Sequence, residues 1–337
     1  MKEVYHGIYQ LPIPLPNSPL GHINAYLIQS DNGYLLVDTG WDTDEAFSAL
    51  KAQLAEIGAR PEEISQIVIT HIHPDHYGLA GRLKQLSRAE IALHQREKEH
   101  IRTRYINMDE LLEQLARWLA TNGVPADELP DLQIASTPVA RFVVPTSPDV
   151  TLHGGETITA GVFNFEVLWT PGHSPGHIVL YDSNRKILIS GDHVLPHITP
   201  NVALHPQSSR NPLNDYINSL NQIKQLEVEL VLPGHEQPFN NLSERIDQIV
   251  SHHHERNSEI LDILGNKTKT AYQLTTEIIW MPDTRASRWH DLAPLDRRLA
   301  ILETISHLEF MRFEGRIDKL SRDGAIYYQL PDIGAKN

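Results

Sequence analysis

Short apolar runs rich in Val, Ile and Leu alternate with amphipathic helical segments along the first two thirds of the chain. The runs lie at residues 33–38, 66–70, 163–170, 178–181, 186–190 and 230–232. Runs of this length, bounded by Gly and Pro, indicate buried strands. Residues 43–57 instead carry apolar side chains at three- and four-residue spacing and stop at Gly58, as a helix packed by one face does. The alternation predicts an α/β domain over residues 1–245.

Residues 96–150 interrupt this alternation with a helix-prone piece at 108–121 and a Pro-containing loop. Insertions of this size in an α/β domain are often lids or pocket walls, and the alternative is a plain surface excursion. The side chains that would form an apolar wall are Tyr105, Met108, Leu111, Leu112, Leu115 and Trp118. We therefore expect a helical insertion in the first domain that lines a substrate pocket.

Residues 246–337 predict a second module. The long helix expected over 242–264 leads into two further helices at 268–279 and 299–313. Two short strand-like runs then flank Asp323-Gly324, a dipeptide typical of tight hairpin turns. Helices followed by a hairpin favour a winged-helix-like α+β domain. Its acidic and basic residues are about equal in number, so a structural or homodimer-forming role is favoured over DNA reading.

The chain of 337 residues has no cysteine and a formal net charge of −14. Without cysteine, any metal must be held by His, Asp or Glu, and disulfides and thiolate nucleophiles are excluded. The negative charge disfavours a nucleic-acid partner, because such binding generally needs a basic face. The first residues show no apolar signal segment and no run has the length of a bilayer span, so we expect a cytoplasmic protein without membrane contact.

The segment His71-Ile72-His73-Pro74-Asp75-His76 directly follows the predicted strand at 66–70. It places four metal-competent side chains within six residues, on a loop where a strand ends and neighbouring strands converge. Neutral imidazole with carboxylate is the ligand set of zinc and similar ions. A solvated polar loop is the alternative, and the rest of the chain argues against it.

Three later strand ends repeat one pattern, in which Gly stands beside His or Asp just after an apolar run. They are Thr170-Pro171-Gly172-His173, Ser190-Gly191-Asp192 and Leu232-Pro233-Gly234-His235. Gly lets a backbone and a metal approach closely. The three recurrences predict that His173, Asp192 and His235 join the 71–76 cluster in one site.

On these motifs the chain resembles the metallo-β-lactamase superfamily over roughly residues 5–240, because the His-x-His-x-Asp-His signature is followed by His, Asp and His in order. The resemblance implies a four-layer αββα sandwich that binds two divalent metal ions. Zinc is the default for His and Asp ligands, and iron, manganese or cobalt would satisfy the same residues. The ligand sets that the resemblance implies are His71, His73 and His173 for one ion, Asp75, His76 and His235 for the other, and Asp192 for both.

Within that superfamily the chain is similar to the glyoxalase II and lactonase-like branch. Asp192 stands where the true β-lactamases with a cysteine ligand have that cysteine, and His73 stands where the flavodiiron relatives have Glu. The tail after about Ile246 resembles the winged-helix appendage of one branch.

Several other residues are candidates for supporting roles. In relatives, the residue at the place of Asp38 orients the metal-binding loop, and the alternative is that Asp38 caps the following helix. His177 and His193 flank predicted ligands, where each can assist proton transfer, orient a ligand or be structural. Residues 252–254 are three consecutive His on the predicted long helix, where neighbours point in different directions and cannot chelate one ion together.

Two catalytic motifs are rejected. Residues 172–176 match the Gly-x-Ser-x-Gly elbow of serine hydrolases, but Pro175 has no N–H to give to an oxyanion hole and His173 is a predicted ligand. His254-Glu255 is not followed by a second His at the zincin spacing.

The sequence favours a binuclear metal-dependent hydrolase that cleaves a carboxylic ester, thioester or lactone of a small-molecule substrate with an activated water. Asp75 and Asp192 are its candidate catalytic residues. Asp75 would pass a proton toward the leaving group, and Asp192 would fix the separation of the ions. The alternatives are an endoribonuclease or phosphodiesterase with the same two-metal site, and a winged-helix binding module.

Overall fold

The computed structural model describes residues 1–280 and 288–331. The chain forms two compact units, each built from several segments. The first unit comprises Met1–Asn107, Pro138–Pro200 and Ser219–Ile246. The second unit comprises Met108–Thr137, Asn201–Asn218 and the described part of Asp247–Asn337.

Seven strands of the first unit form a mixed sheet whose spatial order follows the chain. They are β1 (Lys2–Tyr5), β2 (Ile8–Pro14), β3 (His22–Ser30), β4 (Gly33–Val37), β5 (Ile64–Ile69), β6 (Glu90–His94) and β7 (Val150–Leu152). Strands β1 to β4 pair antiparallel, and β4 to β7 pair parallel. Because β4, β5 and β6 are parallel, their C-terminal ends lie at the same edge of the sheet.

Five further strands form a second sheet of the first unit, in the order β12-β11-β10-β9-β8. They are β8 (Thr157–Ala160), β9 (Phe163–Trp169), β10 (Ile178–Asp182), β11 (Ile187–Gly191) and β12 (Leu230–Pro233). The pair of β11 and β12 is parallel and the other pairs are antiparallel. Strands β10 and β11 are buried along their whole length, as strands covered on both faces are.

Helices follow most of the predicted amphipathic segments. In chain order they are α1 (Asp44–Glu56), α2 (Pro74–Tyr77), α3 (Ala80–Ser87), α4 (Gln95–Lys98), α5 (Ile101–Tyr105), α6 (Met108–Thr121), α7 (Leu129–Ile134), α8 (Thr137–Ala140), α9 (Pro212–Ile223), α10 (Leu242–Leu264), α11 (Ala271–Glu277) and α12 (Pro294–Phe313). Among the residues that the structure describes, every helix is too short or too polar to cross a bilayer.

The two sheets of the first unit pack face to face around one apolar core. Val37 of the seven-stranded sheet and Phe165 and Leu180 of the five-stranded sheet belong to it. The other face of the seven-stranded sheet packs against α1 and α3 through a second core that includes Leu50 and Leu83. The predicted sandwich of helix and sheet layers is confirmed.

Two helices and a hairpin form the C-terminal part of the second unit. Strands β13 (Asp318–Arg322) and β14 (Ala325–Gln329) pair antiparallel. Asp323 and Gly324 between them both have positive φ, at 51° and 80°, which a two-residue turn of this handedness requires. The predicted hairpin is therefore confirmed.

The units divide the chain differently from the predicted boundary between residues 245 and 246. Met108–Thr137, predicted as an insertion of the first domain, belongs to the second unit, and so does Asn201–Asn218. Trp118 of α6 donates from Nε1 to the carbonyl of Leu204, 3.1 Å away, within that unit. An apolar stripe shows that one helix face is buried but not which core buries it, so the sequence could not assign α6. The expected pocket-lining role of residues 96–150 stays a prediction.

The winged-helix identity of residues 246–337 also stays a prediction. Of that range, residues 281–287 and 332–337 lie outside the described residues. The described part contains most of α10, together with α11, α12 and the hairpin.

Candidate metal centre

The seven predicted ligands lie on loops that leave the C-terminal ends of strands in the first unit. The 71–76 segment follows β5 and continues into α2, whose first residue is Pro74. His173 follows β9, Asp192 follows β11 and His235 follows β12. The structure brings these loops together, and three overlapping groups of possible ligands result.

Three imidazoles form the first group. His71 Nε2 lies 2.9 Å from His73 Nδ1, which in turn lies 3.1 Å from His173 Nε2. A tetrahedral zinc ion with Zn–N bonds of about 2.05 Å separates its nitrogen ligands by about 3.3 Å. The ring nitrogens of this group are therefore spaced as the ligands of one ion are.

The second group combines a carboxylate with two imidazoles. His235 Nε2 lies 3.2 Å from Asp75 Oδ2, and His76 Nε2 lies 3.8 Å from the same oxygen. These three ligand atoms lie within 4.8 Å of one another.

Asp192 lies between the two groups. Its Oδ2 is 3.3 Å from His76 Nε2 and 3.6 Å from His235 Nε2, both of the second group. The same oxygen is 3.8 Å from His173 Nε2 of the first group. One carboxylate thus faces both sets of ligands, as a bridging ligand does.

Buried polar atoms without partners test whether the residues fit a metal. Asp192 Oδ1, His76 Nε2 and His235 Nε2 are buried and have no hydrogen-bond partner among the described residues. A buried polar atom left unpaired costs about 1–3 kcal/mol. All three atoms belong to the cluster, and coordination of a cation would satisfy His76 Nε2 and His235 Nε2. The residues therefore fit divalent metal ions.

Protonation states agree with this fit. Burial lowers the pKa of His71 and of His73 well below the ordinary value, and neighbouring imidazoles act in the same direction. Both rings are therefore neutral near pH 7, as metal ligands must be.

Carboxylates dominate the electrostatics of the second group. Burial acts to lower the pKa of His76 and His235, but Asp192 and Asp75 outweigh it, raising the pKa of His76 well above its ordinary value and that of His235 to about 9. Burial acts to raise the pKa of Asp192, yet the His76 and His235 charges hold it well below its usual range. The negative charge of the Asp75 and Asp192 carboxylates, which favours protons on these rings, also favours the binding of a divalent cation.

Asp38 orients His76, as expected for a residue behind the ligands. Its Oδ2 lies 2.8 Å from His76 Nδ1, and its two oxygens accept hydrogen bonds from Thr70 N and Thr70 Oγ1, both at 2.8 Å. The alternative that Asp38 caps α1 is wrong, because Thr43 is the residue that accepts from Ala46 N at that helix end. With Nδ1–H held by Asp38, Nε2 is the ring nitrogen of His76 that faces the cluster and would bind an ion.

His177 supports Asp192 rather than reacting. Its Nε2 accepts a hydrogen bond from Asp192 N at 3.1 Å, and its Nδ1 lies 3.0 Å from Thr170 Oγ1. Burial lowers the pKa of His177 well below its ordinary value, so the ring is a neutral acceptor. His193 is fully buried and burial lowers its pKa to about 3. Both observations favour the structural interpretation of these two histidines.

Sequence reasoning missed Glu97, which is 1% exposed. Its Oε2 accepts from Ile72 N at 3.0 Å, inside the 71–76 segment. Its Oε1 accepts from Ser174 Oγ at 2.6 Å and from Gly176 N at 2.7 Å, beside His173. One buried carboxylate thus ties two ligand-bearing loops together. The same contact uses the Ser174 hydroxyl, in agreement with the rejection of a serine nucleophile.

Two more supports of the ligands were missed. Tyr105 Oη donates to the carbonyl of Ile72. His235 Nδ1 lies 3.0 Å from the carbonyl of His22 on β3, which leaves Nε2 of His235 to face the cluster. Neither contact has a local sequence signal, because each joins segments far apart in the chain.

The glycines beside the ligands allow the close approach that was expected of them. A Cβ on Gly234 would lie 2.5 Å from Asp192 Oδ1 and 2.9 Å from His76 Cε1. A Cβ on Gly191 would lie 2.8 Å from His177 Nε2, and its φ of 49° is left-handed. A larger residue at Gly234 would displace Asp192 and His76, and one at Gly191 would displace His177, which supports Asp192.

Comparison with known proteins identifies the same family that the residues of the site indicate. The model of the metallo-beta-lactamase superfamily matches residues 18–235. The chain belongs to the metallo-beta-lactamase superfamily. Members of this superfamily normally bind divalent metals, and the chain is accordingly a metallo-hydrolase of this family.

Two of three similar proteins cover nearly the whole length of this superfamily member. The probable metallo-hydrolase YqjP of Bacillus subtilis is 26% identical over 326 residues, which are 96% of this chain and 97% of YqjP. The crystal structure of the metallo-beta-lactamase family protein TTHA1429 from Thermus thermophilus superposes with a TM-score of 0.84 at 30% identity, covering 97% of this chain and 100% of that one. The acyl-coenzyme A thioesterase MBLAC2 of Bos taurus is 28% identical over 239 residues, 68% of this chain and 78% of MBLAC2.

Proposed function

We propose that this metallo-hydrolase cleaves a carboxylic ester, thioester or lactone of a small substrate, and that an acyl thioester is the preferred class. The observation that carries the proposal is the convergence of seven His and Asp side chains, with Asp192 between two groups of three. The choice of a thioester is supported by the likeness to MBLAC2, whose name states that activity.

The proposed ligand sets follow the distances. His71, His73 and His173 would hold one ion, and His76, His235 and Asp75 the other, with Asp192 shared. When bound, two divalent ions supply an activated water at neutral pH and polarise the carbonyl oxygen of the substrate. We take zinc as the metal to test first because His and Asp are its usual ligands when thiolates are absent.

The protein's own groups then orient the reaction. Asp38, Glu97 and His177 hold the backbone and the ring tautomers of the ligands, so the site forms before substrate arrives. His71 and His73 stay neutral because of burial, and Asp192 and Asp75 carry the negative charge that offsets the cations.

Asp75 is the proposed proton carrier. Its side chain is 17% exposed, compared with 11% for Asp192 and 3% for Asp38. It is therefore the carboxylate of this cluster that substrate and solvent reach most easily. A carboxylate in that position can accept a proton from the attacking water and return it to the leaving thiolate or alkoxide.

A substrate panel tests the proposal. Zinc-loaded protein is assayed on acyl-coenzyme A thioesters, an aryl acetate, an acyl-homoserine lactone, an alkyl sulfate, a phosphodiester and single-stranded RNA. We expect thioester turnover that disappears in Asp192→Asn and in His235→Gln. His6→Gln is the matched control, since the His6 side chain is fully exposed.

The panel also decides between the alternatives. Turnover of only the phosphodiester or the RNA, lost in His73→Ala, would replace the proposal with the nuclease alternative. Absence of metal-dependent turnover on every carboxylic substrate would contradict the proposed bond type.

A further inference from the structure

A second cluster of metal-competent side chains lies in the second unit, apart from the seven residues of the candidate metal centre. It consists of His253 on α10 and of Glu303 and His307 on α12. Glu303 and His307 are four residues apart and therefore share one helix face. Of the three consecutive histidines on α10, His253 alone joins the cluster, as the different directions of neighbouring helical residues require.

The spacing of the ligand atoms suits one ion. His253 Nδ1 lies 3.4 Å from His307 Nε2, close to the separation of about 3.3 Å between nitrogens on tetrahedral zinc. Glu303 Oε1 lies 3.9 Å from His307 Nε2, and one atom from each of the three residues lies within 4.8 Å of the other two.

Neighbouring amides orient these side chains as Asp38 orients His76. His307 Nδ1 lies 2.8 Å from Asn257 Oδ1, so Nδ1–H donates to the amide oxygen and the Nε2 lone pair faces the cluster. Glu303 Oε2 accepts a hydrogen bond from Asn201 Nδ2. Each supporting amide leaves free the atom that would bind an ion.

Both imidazoles of the cluster are buried. His253 and His307 are 0% and 1% exposed. Burial lowers the pKa of His253 to about 3 and that of His307 well below its ordinary value, so both imidazoles are neutral and able to bind a metal. Burial raises the pKa of Glu303 to about 7, against the lowering effect of the Arg256 charge, so Glu303 would release its proton on binding the ion.

We propose that His253, Glu303 and His307 form a third metal site, which binds one divalent cation of the zinc type and links α10 to α12. Two imidazoles and one carboxylate are a common protein ligand set for zinc, and the fourth position is left to water. The attachment of the three ligands to two helices is what would let a bound ion link α10 to α12. The alternative arrangement is a histidine pair joined by an Nδ1–H to Nε2 hydrogen bond beside Glu303, without any ion.

Metal stoichiometry distinguishes the two arrangements. The full-length chain is loaded with excess zinc, separated from free metal by gel filtration and analysed for zinc per chain. We expect Glu303→Gln and His253→Gln each to bind one zinc fewer than the wild type. The measured quantity is the difference in zinc per chain between the wild type and each variant. Partial loading of the candidate metal centre affects all the proteins equally and does not change this difference.

Matched variants keep the experiment interpretable. Glu303→Gln preserves side-chain shape, and circular dichroism checks that it is folded. His254→Gln is the control, because His254 is exposed on the same helix, and it should retain the wild-type zinc content.

The unfolding temperature gives a second measurement. Zinc should raise it in Asp192→Asn, which lacks a ligand of the candidate centre, and should raise it less in the double variant Asp192→Asn/Glu303→Gln. Equal zinc content and equal zinc-dependent shifts with and without Glu303 would overturn the proposal in favour of the hydrogen-bonded histidine pair.

Discussion

At the scale of single residues, Asp38 controls which nitrogen of His76 carries the proton. Its Oδ2 faces His76 Nδ1 at 2.8 Å, while Thr70 donates to both carboxylate oxygens. Asp38 has a left-handed φ of 60°, which a side chain bonded to nearby backbone tolerates. Asp38 therefore fixes the orientation of the His76 ring relative to the end of β5, although Asp38 is not itself a ligand.

We predict that Asp38→Asn weakens zinc binding by about 10–100-fold. In one orientation the amide nitrogen of Asn would face His76 Nδ1 and the Thr70 hydroxyl, so His76 would carry its proton on Nε2, the atom that binds the ion. In the other orientation it would face the Thr70 backbone N–H, so two donors would meet and the loop end would shift. Competition with a chromogenic chelator measures the change. Asp44→Asn is the control because the Asp44 side chain is 95% exposed, and equal affinities of the two variants would contradict the argument.

Glu97 offers a second prediction at this scale. Its two oxygens accept three hydrogen bonds from the loops that hold the ligands, and Gln can offer only one oxygen. Glu97→Gln should therefore destabilise the fold by about 1–3 kcal/mol, because at least one buried donor loses its acceptor. Urea unfolding of metal-free protein measures this free energy. In Glu99→Gln, where the side chain is 43% exposed, we expect a change near zero. A Glu97 variant as stable as that control would show that the loops hold each other without the carboxylate.

At the scale of elements, each ligand after β11 and β12 directly follows a glycine, which is the last residue of β11 and the first residue after β12. A Cβ at Gly234 would lie 2.5 Å from Asp192 Oδ1, closer than real Cβ contacts occur. The β12 end would have to move away from Asp192 and His76 to accept it.

Gly234→Ala should therefore fold but bind less zinc and lose most hydrolytic activity. The expectation rests on displacement of Asp192, which faces both groups of ligands. Gly58→Ala is the comparison. A Cβ at Gly58 would meet no atom within 4 Å, so this substitution would destabilise the fold only through the left-handed φ of 73°. Elemental analysis measures the zinc content of each variant, and the thioester assay measures its hydrolytic activity. Full zinc occupancy in Gly234→Ala would refute the packing argument.

The elements also show why part of the site was predictable from sequence. His71, His173, Asp192 and His235 each follow an apolar run directly, so the end of a buried strand marked them. Glu97 had no such mark, because an acidic residue in a polar helical turn is normally solvated. Its contacts join it to positions 25 and 79 residues away, which local sequence patterns cannot supply. The same holds for His253 and His307, which lie on different helices.

At the scale of the whole molecule, the sequence predicted the layers of the first unit better than the division of the chain. Alternation of strands and helices identified an α/β domain because burial on both faces leaves apolar runs, and the resemblance to the superfamily implied the four-layer sandwich. The assignment of Met108–Thr137 and Asn201–Asn218 to the second unit depends on contacts such as that between Trp118 and Leu204. Amphipathic segments contain no information about such partners.

Charge over the whole chain bears on the winged-helix alternative. The chain has 29 Lys and Arg against 43 Asp and Glu. Near the hairpin, Glu309 pairs with Lys319 at 2.9 Å and with Arg312 at 2.7 Å, so one cation of the hairpin and one of α12 already have a carboxylate partner. Without a basic surface to replace them, few counterions would be released from duplex DNA on binding, and that release is the main source of affinity.

We therefore predict that the full-length chain binds duplex DNA no more tightly than roughly 10⁻⁴ M at physiological salt. Fluorescence anisotropy of a labelled duplex measures this, with and without a chelator. Glu309→Gln releases Lys319 and Arg312 from their shared partner, so it should bind more tightly than the wild type at low salt and lose that gain as salt rises. Micromolar binding by the wild type that survives metal removal and weakens steeply with salt would instead establish the C-terminal part as a nucleic-acid-binding module, because binding of that kind requires an organised basic face.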